Sequence, residues 1–224
     1  MTTRVGVVLF PGTNCEFDTA DAVRLVGGEP VVLWHQERSV GDVDAVVVPG
    51  GFAHGDYLRP GAIARFSPVM SAVAEFAAGG GPVVGICNGF QVLTEAGLLP
   101  GALQKNAGLK FVCAPAKLRV ETVSTALTAG AEVGQVLDVP VNHFEGNYTC
   151  SPETLAELRA EDRIVFRYLD NPNGSVDDIA GICNAGRNVV GLMPHPERAT
   201  SELLGSVDGL VLWRSLLSAA TTAA

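Results

Sequence analysis

Hydrophobic and polar positions along the first half of the chain switch between two periods. Val5–Phe10 is a short, apolar, β-branched run of the kind that fills a buried parallel strand. From Glu16 to Val26 the apolar residues Phe17, Ala20, Val23 and Val26 recur at helical spacing, and Gly27-Gly28 stops the pattern. Pro30–Trp34 and Ala45–Val48 read as strands, the second ending in Pro49-Gly50-Gly51. Ala62 to Ala78 reads as a helix carrying Ile63, Phe66, Met70, Val73 and Phe76, closed by Gly79-Gly80-Gly81. Val83–Ile86 is again a strand, and Asn88 to Ala96 a helix.

Strands separated by helical patterns predict βαβ units and an α/β fold with a mostly parallel, doubly wound sheet. The middle of the chain differs. Phe111–Cys113, Lys117–Val123 and Val139–His143 look like strands without long helices between them, which points to an antiparallel extension. The earlier pattern then returns, with strands at Arg163–Tyr168, Ile179–Asn184 and Val189–Met193 and a terminal helix from Ser201 to Leu217. No repeat, low-complexity tract or linker interrupts the chain, so one domain over residues 1–224 is expected.

Composition narrows the class. Hydrophobic residues make up 47% of the 224 and charged ones 17%, enough for a buried core. A net charge of -9 repels phosphate backbones and anionic lipid, which argues against nucleic-acid or membrane partners. No run approaches the roughly 20 apolar residues of a membrane span. The apolar stretch after Met1-Thr2-Thr3-Arg4 is too short for a signal peptide, so a cytoplasmic location is expected. The five cysteines (Cys15, Cys87, Cys113, Cys150 and Cys183) are widely spaced and form no C-x-x-C pair. Neither a disulfide framework nor a zinc site is indicated, and no metal is expected.

One cysteine stands in a chemically distinctive context. Val83-Val84-Gly85-Ile86-Cys87-Asn88-Gly89-Phe90-Gln91 takes a buried strand through Gly-x-Cys-x-Gly into a helix, the pattern of a nucleophile elbow with Cys in place of Ser. The glycines leave room where chains approach too closely for a Cβ. The sulfur then sits at a helix N-terminus, where the dipole and free N–H groups favour the thiolate. The N–H of Asn88 is placed to bind an oxyanion. Cys183 imitates the first half of the motif, but Ala185 replaces the second glycine, so it reads as core.

A cysteine nucleophile needs a base, and the base needs an orienting acid. Of the four histidines, His143 and His195 each have a carboxylate two residues on, in His143-Phe144-Glu145 and His195-Pro196-Glu197. His195 is favoured because it follows a buried strand and is stiffened by Pro194 and Pro196. Pro49-Gly50-Gly51, at the carboxyl end of a strand, offers backbone bare enough for a ligand to approach closely.

These residues together resemble the class I (triad) glutamine amidotransferases, over nearly the whole chain. Within that class, Phe10–Cys15, Pro49–Arg59, Gly85–Gln91, Asp170–Ser175 and Gly191–Glu197 resemble the glutaminase subunits of phosphoribosylformylglycinamidine synthase. The resemblance implies a flavodoxin-like fold and a triad of Cys87, His195 and Glu197. It implies an oxyanion hole from the Asn88 N–H and an N–H of the Gly50-Gly51 turn. It also implies contact of Gln91 with the substrate, L-glutamine, and at most a binding role for His143. Glutamine would be hydrolysed through a Cys87 thioester, with no cofactor in this subunit. Ammonia would pass to a large synthetase subunit (PurL), joined by a small bridging subunit (PurS). PurL would use ATP and Mg2+ to aminate formylglycinamide ribonucleotide. The chain lacks a Gly-x-x-x-x-Gly-Lys loop, in keeping with nucleotide binding by another chain. Phe144, Ala53-His54 and Pro60 depart from the family's usual residues, in the pocket lining and in stretches where a partner would dock.

Two other readings share these residues. A stand-alone cysteine hydrolase of the same fold would act without partners and without preference for glutamine. A catalytically silent regulatory subunit would have no reason to keep Cys87, His195 and Glu197 together.

Overall fold

The computed structural model describes residues 2–223. The chain enters through β1 (Arg4–Leu9), α1 (Glu16–Leu25) and β2 (Glu29–Trp34), then β3 (Ala45–Val48), α2 (Pro68–Ala78), β4 (Val83–Ile86) and α3 (Asn88–Glu95). Short strands follow: β5 (Ala102–Gln104), β6 (Val112–Ala114), β7 (Lys117–Val120), β8 (Val136–Asp138), β9 (Val141–His143) and β10 (Asn147–Thr149). Helix α4 (Pro152–Ala160), strands β11 (Ile164–Tyr168), β12 (Ile179–Cys183) and β13 (Val189–Leu192), and helix α5 (Gly209–Ala223) complete it.

Nine strands form one sheet in the order β2-β1-β3-β4-β13-β12-β11-β7-β8. The run from β2 to β13 is parallel, and β12, β11, β7 and β8 continue it antiparallel. The doubly wound sheet with an antiparallel extension read from the sequence is thus present. Strands β3, β4 and β13 are buried along their whole length, which is why they are apolar without alternation. Helices α1 and α5 pack on each other and on the β1–β3 side of the sheet; α3 packs against β3, β4 and β13. Strands β6 and β9, and β5 and β10, form two small ribbons beside the sheet.

Three elements depart from the periodicity. The helix expected over Ala62–Ala78 is in two parts: a single 3-10 turn at Ala64–Phe66, then α2 from Pro68. Pro68 holds Ser67 extended (φ -62°, ψ 138°), which breaks the helix there. The terminal helix expected from Ser201 begins at Gly209. Glu202–Leu204 form a 3-10 turn ended by Gly205 in the left-handed region, and Ser201 bridges to Ser206. Helix α4 has too little apolar periodicity to show in the sequence pattern. Ser151 caps it, accepting the Thr154 N–H at 3.2 Å, with Pro152 in its first turn.

What the topology does for function is place four loops together. The turns after β1, β3, β4 and β13 all leave the carboxyl ends of adjacent parallel strands, the edge where open α/β sheets bind ligands.

Candidate active site

Cys87 lies between the end of β4 and the start of α3, with φ 51° and ψ -106°. That conformation is costly for any residue with a Cβ, and it is held by its surroundings. The Cys87 N–H donates to the Leu192 carbonyl on β13 at 2.8 Å. A Cβ on Gly89 would stand 1.8 Å from the Val48 carbonyl oxygen, so α3 approaches β3 as closely as only glycine allows. The elbow read from Gly85-x-Cys87-x-Gly89 is therefore present. Its cysteine is 6% exposed, and the thiol donates weakly to the Asn142 carbonyl at 3.7 Å.

His195 follows β13, pinned by its N–H on the Pro140 carbonyl at 2.8 Å. Its Nδ1 is 2.6 Å from Glu197 Oε1, and both side chains are buried. Nε2 is buried with no hydrogen-bond partner among the described residues, which leaves it for a reacting group. Burial alone would lower the proton affinity of the ring. The Glu197 carboxylate, then the sulfurs of Cys87 and Cys15, outweigh it and hold its pKa well above 6.5.

His143 lies on the same cavity wall but differs in every respect that matters to a base. Its Nδ1 pairs with Asn106 Oδ1 at 3.2 Å, not with Glu145. Burial, and then the charge of His195, depress its pKa to about 4. A neutral His143 offers a ligand its buried Nε2, which has no hydrogen-bond partner among the described residues. Of the two histidines, His195 is the one whose ring is paired with the carboxylate two residues on.

Gly51 lines the same cavity as Cys87, and Gly50 lies against the His195 ring and the Cys15 sulfur. The Gly50 carbonyl accepts N–H groups from Asn14 and Cys15, at 3.3 and 3.2 Å. Gly51 (φ +146°) is boxed in so closely that a Cβ would stand 2.5 Å from Asn14 N. Its N–H has no acceptor among the described residues. Asn88 N–H, at the first position of α3, is likewise one of the helix's orphan donors. The Asn88 side chain ties the turn to the elbow: its Oδ1 accepts the Ala53 N–H at 2.9 Å, and its Nδ2 donates to Asp56 at 3.0 Å and Gln91 at 2.9 Å. Gln91 is in the cavity wall, but its amide is already engaged, donating to the Glu145 carbonyl at 2.5 Å.

Sequence reasoning gave no role to several residues of this cavity, among them Cys15, Asp56 and Arg198. Cys15 is buried, with the Arg198 Nη2 donating to its sulfur at 3.2 Å. Cys15, His195 and Glu197 place donor atoms within 4.8 Å of one another. Those of His195 and Glu197 are paired with each other, and a guanidinium already approaches the Cys15 sulfur. Cys15 and Asp56 lie in the Phe10–Cys15 and Pro49–Arg59 stretches that carry the resemblance, but neither was given a role there. Of the other cysteines, Cys183 is wholly buried, its thiol pKa pushed up to about 11 by burial, and Cys113 is exposed.

Residues 2–209 match the family of CobB/CobQ-like glutamine amidotransferase domains. Among similar proteins, phosphoribosylformylglycinamidine synthase subunit PurQ of Rubrobacter xylanophilus is 59% identical, covering 97% of this chain and 99% of its own length. The corresponding protein of Frankia casuarinae is 57% identical, over 96% of this chain and 93% of its own. A chain in the structure of PurLQS from Thermotoga maritima superposes with a TM-score of 0.90 at 40% identity, covering 97% and 99% of the two chains.

Proposed function

The chain belongs to the CobB/CobQ-like glutamine amidotransferase domain family, and on that premise we propose that it is the glutaminase subunit of phosphoribosylformylglycinamidine synthase. The observation that carries the chemistry is the buried His195–Glu197 pair, 2.6 Å apart, in one cavity with the elbow thiol of Cys87.

The Cys87 thiolate attacks the side-chain carboxamide carbon of L-glutamine. Negative charge moves to the carboxamide oxygen, where the N–H groups of Gly51 and Asn88 receive it. His195 gives its proton to the departing nitrogen, and ammonia leaves a γ-glutamyl thioester on Cys87. Neutral His195 then takes a proton from water as that water attacks the thioester, releasing glutamate and restoring the Cys87 thiolate and protonated His195. Glu197 fixes the ring so that Nε2 serves both steps and stabilises the imidazolium. Residues 1–224 act as one catalytic domain.

The PurLQS likeness supports assembly with a large synthetase partner, PurL, and a small one, PurS. In this reading PurL consumes ATP with Mg2+ and uses the ammonia to convert formylglycinamide ribonucleotide to formylglycinamidine ribonucleotide, in the cytoplasm. The Phe52–Arg59 segment adjoins the oxyanion turn and exposes Tyr57 and Leu58, at 74% and 89%. Docking on this segment would set the Gly51 N–H for catalysis, a gating step. One oxyanion donor is worth about 10²–10³ in kcat.

The test is glutamate release by the free chain, by the chain titrated with PurL and PurS under synthesis conditions, and by the same complex carrying Cys87→Ala. The expected result is a slow free chain, a fast complex and a silent variant. Equal rates for free chain and complex would favour a stand-alone hydrolase.

A further inference from the structure

L-Glutamine carries an α-ammonium group, and a cavity that prefers it to other amides needs an anionic acceptor within reach of the nucleophile. Two carboxylates line the cavity of Cys87: Asp56 and Glu145. Their situations differ. Glu145 feels the cation of Lys105, which offsets part of its charge. Among the described residues Asp56 has no such partner: its carboxylate accepts a hydrogen bond from Asn88 Nδ2 at 3.0 Å. The guanidinium on this wall, Arg198, is engaged elsewhere, with Cys15 and Asp18, both at 3.2 Å.

A half-buried carboxylate beside a second carboxylate, without a counter-cation, is unfavourable as an anion. Burial raises the Asp56 pKa to about 6, against the Asn88 hydrogen bond, and Glu145 adds to the rise. A residue kept in that state within a ligand cavity marks a place where a cation arrives. The backbone there is also unusual. Asp56 has φ 51°, between His54 at 54° and Leu58 at 70°, so a segment of strained residues presents this side chain. On the same wall the Nε2 of His143 is buried without a partner among the described residues, a second polar atom left for a ligand.

Resting on the glutaminase reading, we propose that Asp56 is the acceptor of the substrate's α-ammonium group and the residue by which the site selects α-amino amides. The reach is appropriate. Asp56 is bonded to the side chain of Asn88, the neighbour of Cys87, and lines the same cavity as the sulfur, where the amino end of a glutamine held by its carboxamide would have to lie. Binding there also has a consequence for chemistry. The ammonium would hold Asp56, and with it the Ala53–Asp56 turn, against Asn88, whose backbone N–H is an oxyanion donor. Substrate without an α-amino group would lose that support.

The experiment compares L-glutamine with its α-deamino analogue, glutaramate, in the assembled complex. Glutamate or glutarate release is measured for wild type, Asp56→Asn and Glu145→Gln. Asn keeps an acceptor for Asn88 Nδ2, so the loop retains its anchor. For Asp56→Asn, kcat/KM for glutamine is expected to fall about 10- to 100-fold, through KM and kcat together, as for loss of one charge-assisted hydrogen bond. For glutaramate it should change less than about threefold, so the preference for glutamine collapses, and Glu145→Gln should keep most of that preference. Equal losses on both substrates, or no loss on either, would overturn the assignment, as would collapse of the preference in Glu145→Gln alone. Cys87-dependent glutamate release by the wild-type complex, read in the same assay, reports separately on the glutaminase reading.

Discussion

Replacing Cys87 by glycine should stabilise the chain relative to replacing it by alanine, although glycine ordinarily destabilises. The reason is the backbone: Cys87 is held at φ 51°, ψ -106°, where every side chain with a Cβ is strained. Such strain costs about 1–3 kcal/mol. Alanine keeps it, whereas glycine removes it. Against that relief stand the larger unfolded-state entropy of glycine, about 0.5–1 kcal/mol, and the loss of one buried carbon, up to about 0.8 kcal/mol. The balance favours glycine by roughly 1 kcal/mol, or a Tm about 2–4 °C higher for a chain of this size. Both variants should be inert towards glutamine, which removes activity as a confounding variable. Thermal and urea unfolding of the two free chains gives the comparison. An alanine variant as stable as the glycine variant, or more so, would refute the claim that the elbow stores strain to present its thiol.

His195→Ala should lower kcat by about 10⁴ or more, while His143→Ala acts mainly on KM for glutamine; steady-state kinetics of the two in the complex decide this. Glu197→Gln should lower kcat by about 10³- to 10⁴-fold, as for loss of the orienting acid of a triad. It also predicts a pH effect. A His195 pKa raised above 6.5 contributes stability that is full below pH 6.5 and lost as pH rises through the folded value. The stability gap between wild type and Glu197→Gln should therefore be widest below pH 6.5 and narrow as pH rises through the raised folded value, as denaturant titrations at each pH would show. Gly89→Ala places a methyl 1.8 Å from the Val48 carbonyl oxygen and should destabilise by about 3 kcal/mol, the upper end for overpacking, measured by the same unfolding titrations.

The parts of the site that follow from local steric rules were readable in the sequence. Gly85 and Gly89 around Cys87 mark an elbow because a close helix–strand approach excludes side chains there. Pro194 and Pro196 mark a stiff loop that holds His195 against Glu197. The assembly of the cavity across loops was not readable. Cys15 and Arg198 are 183 positions apart in sequence yet 3.2 Å apart in space, and neither carries a local pattern. Asp56 looks like any acid in a glycine-rich turn until its partner, Asn88, is seen 32 positions away. Helix boundaries failed for a related reason. Phe66 fits a helical period, but Pro68 constrains Ser67 in a way that apolar spacing does not register.

Covalent labelling with a diazo-ketone analogue of glutamine tests the central claim most directly. The complex of chain, PurL and PurS is inactivated, digested and mapped by mass spectrometry. One adduct on Cys87, rising in step with loss of glutaminase activity and absent from Cys87→Ala, is the predicted result. An adduct on Cys15, whose sulfur shares the cavity, or on any other cysteine while Cys87 stays free, would contradict it.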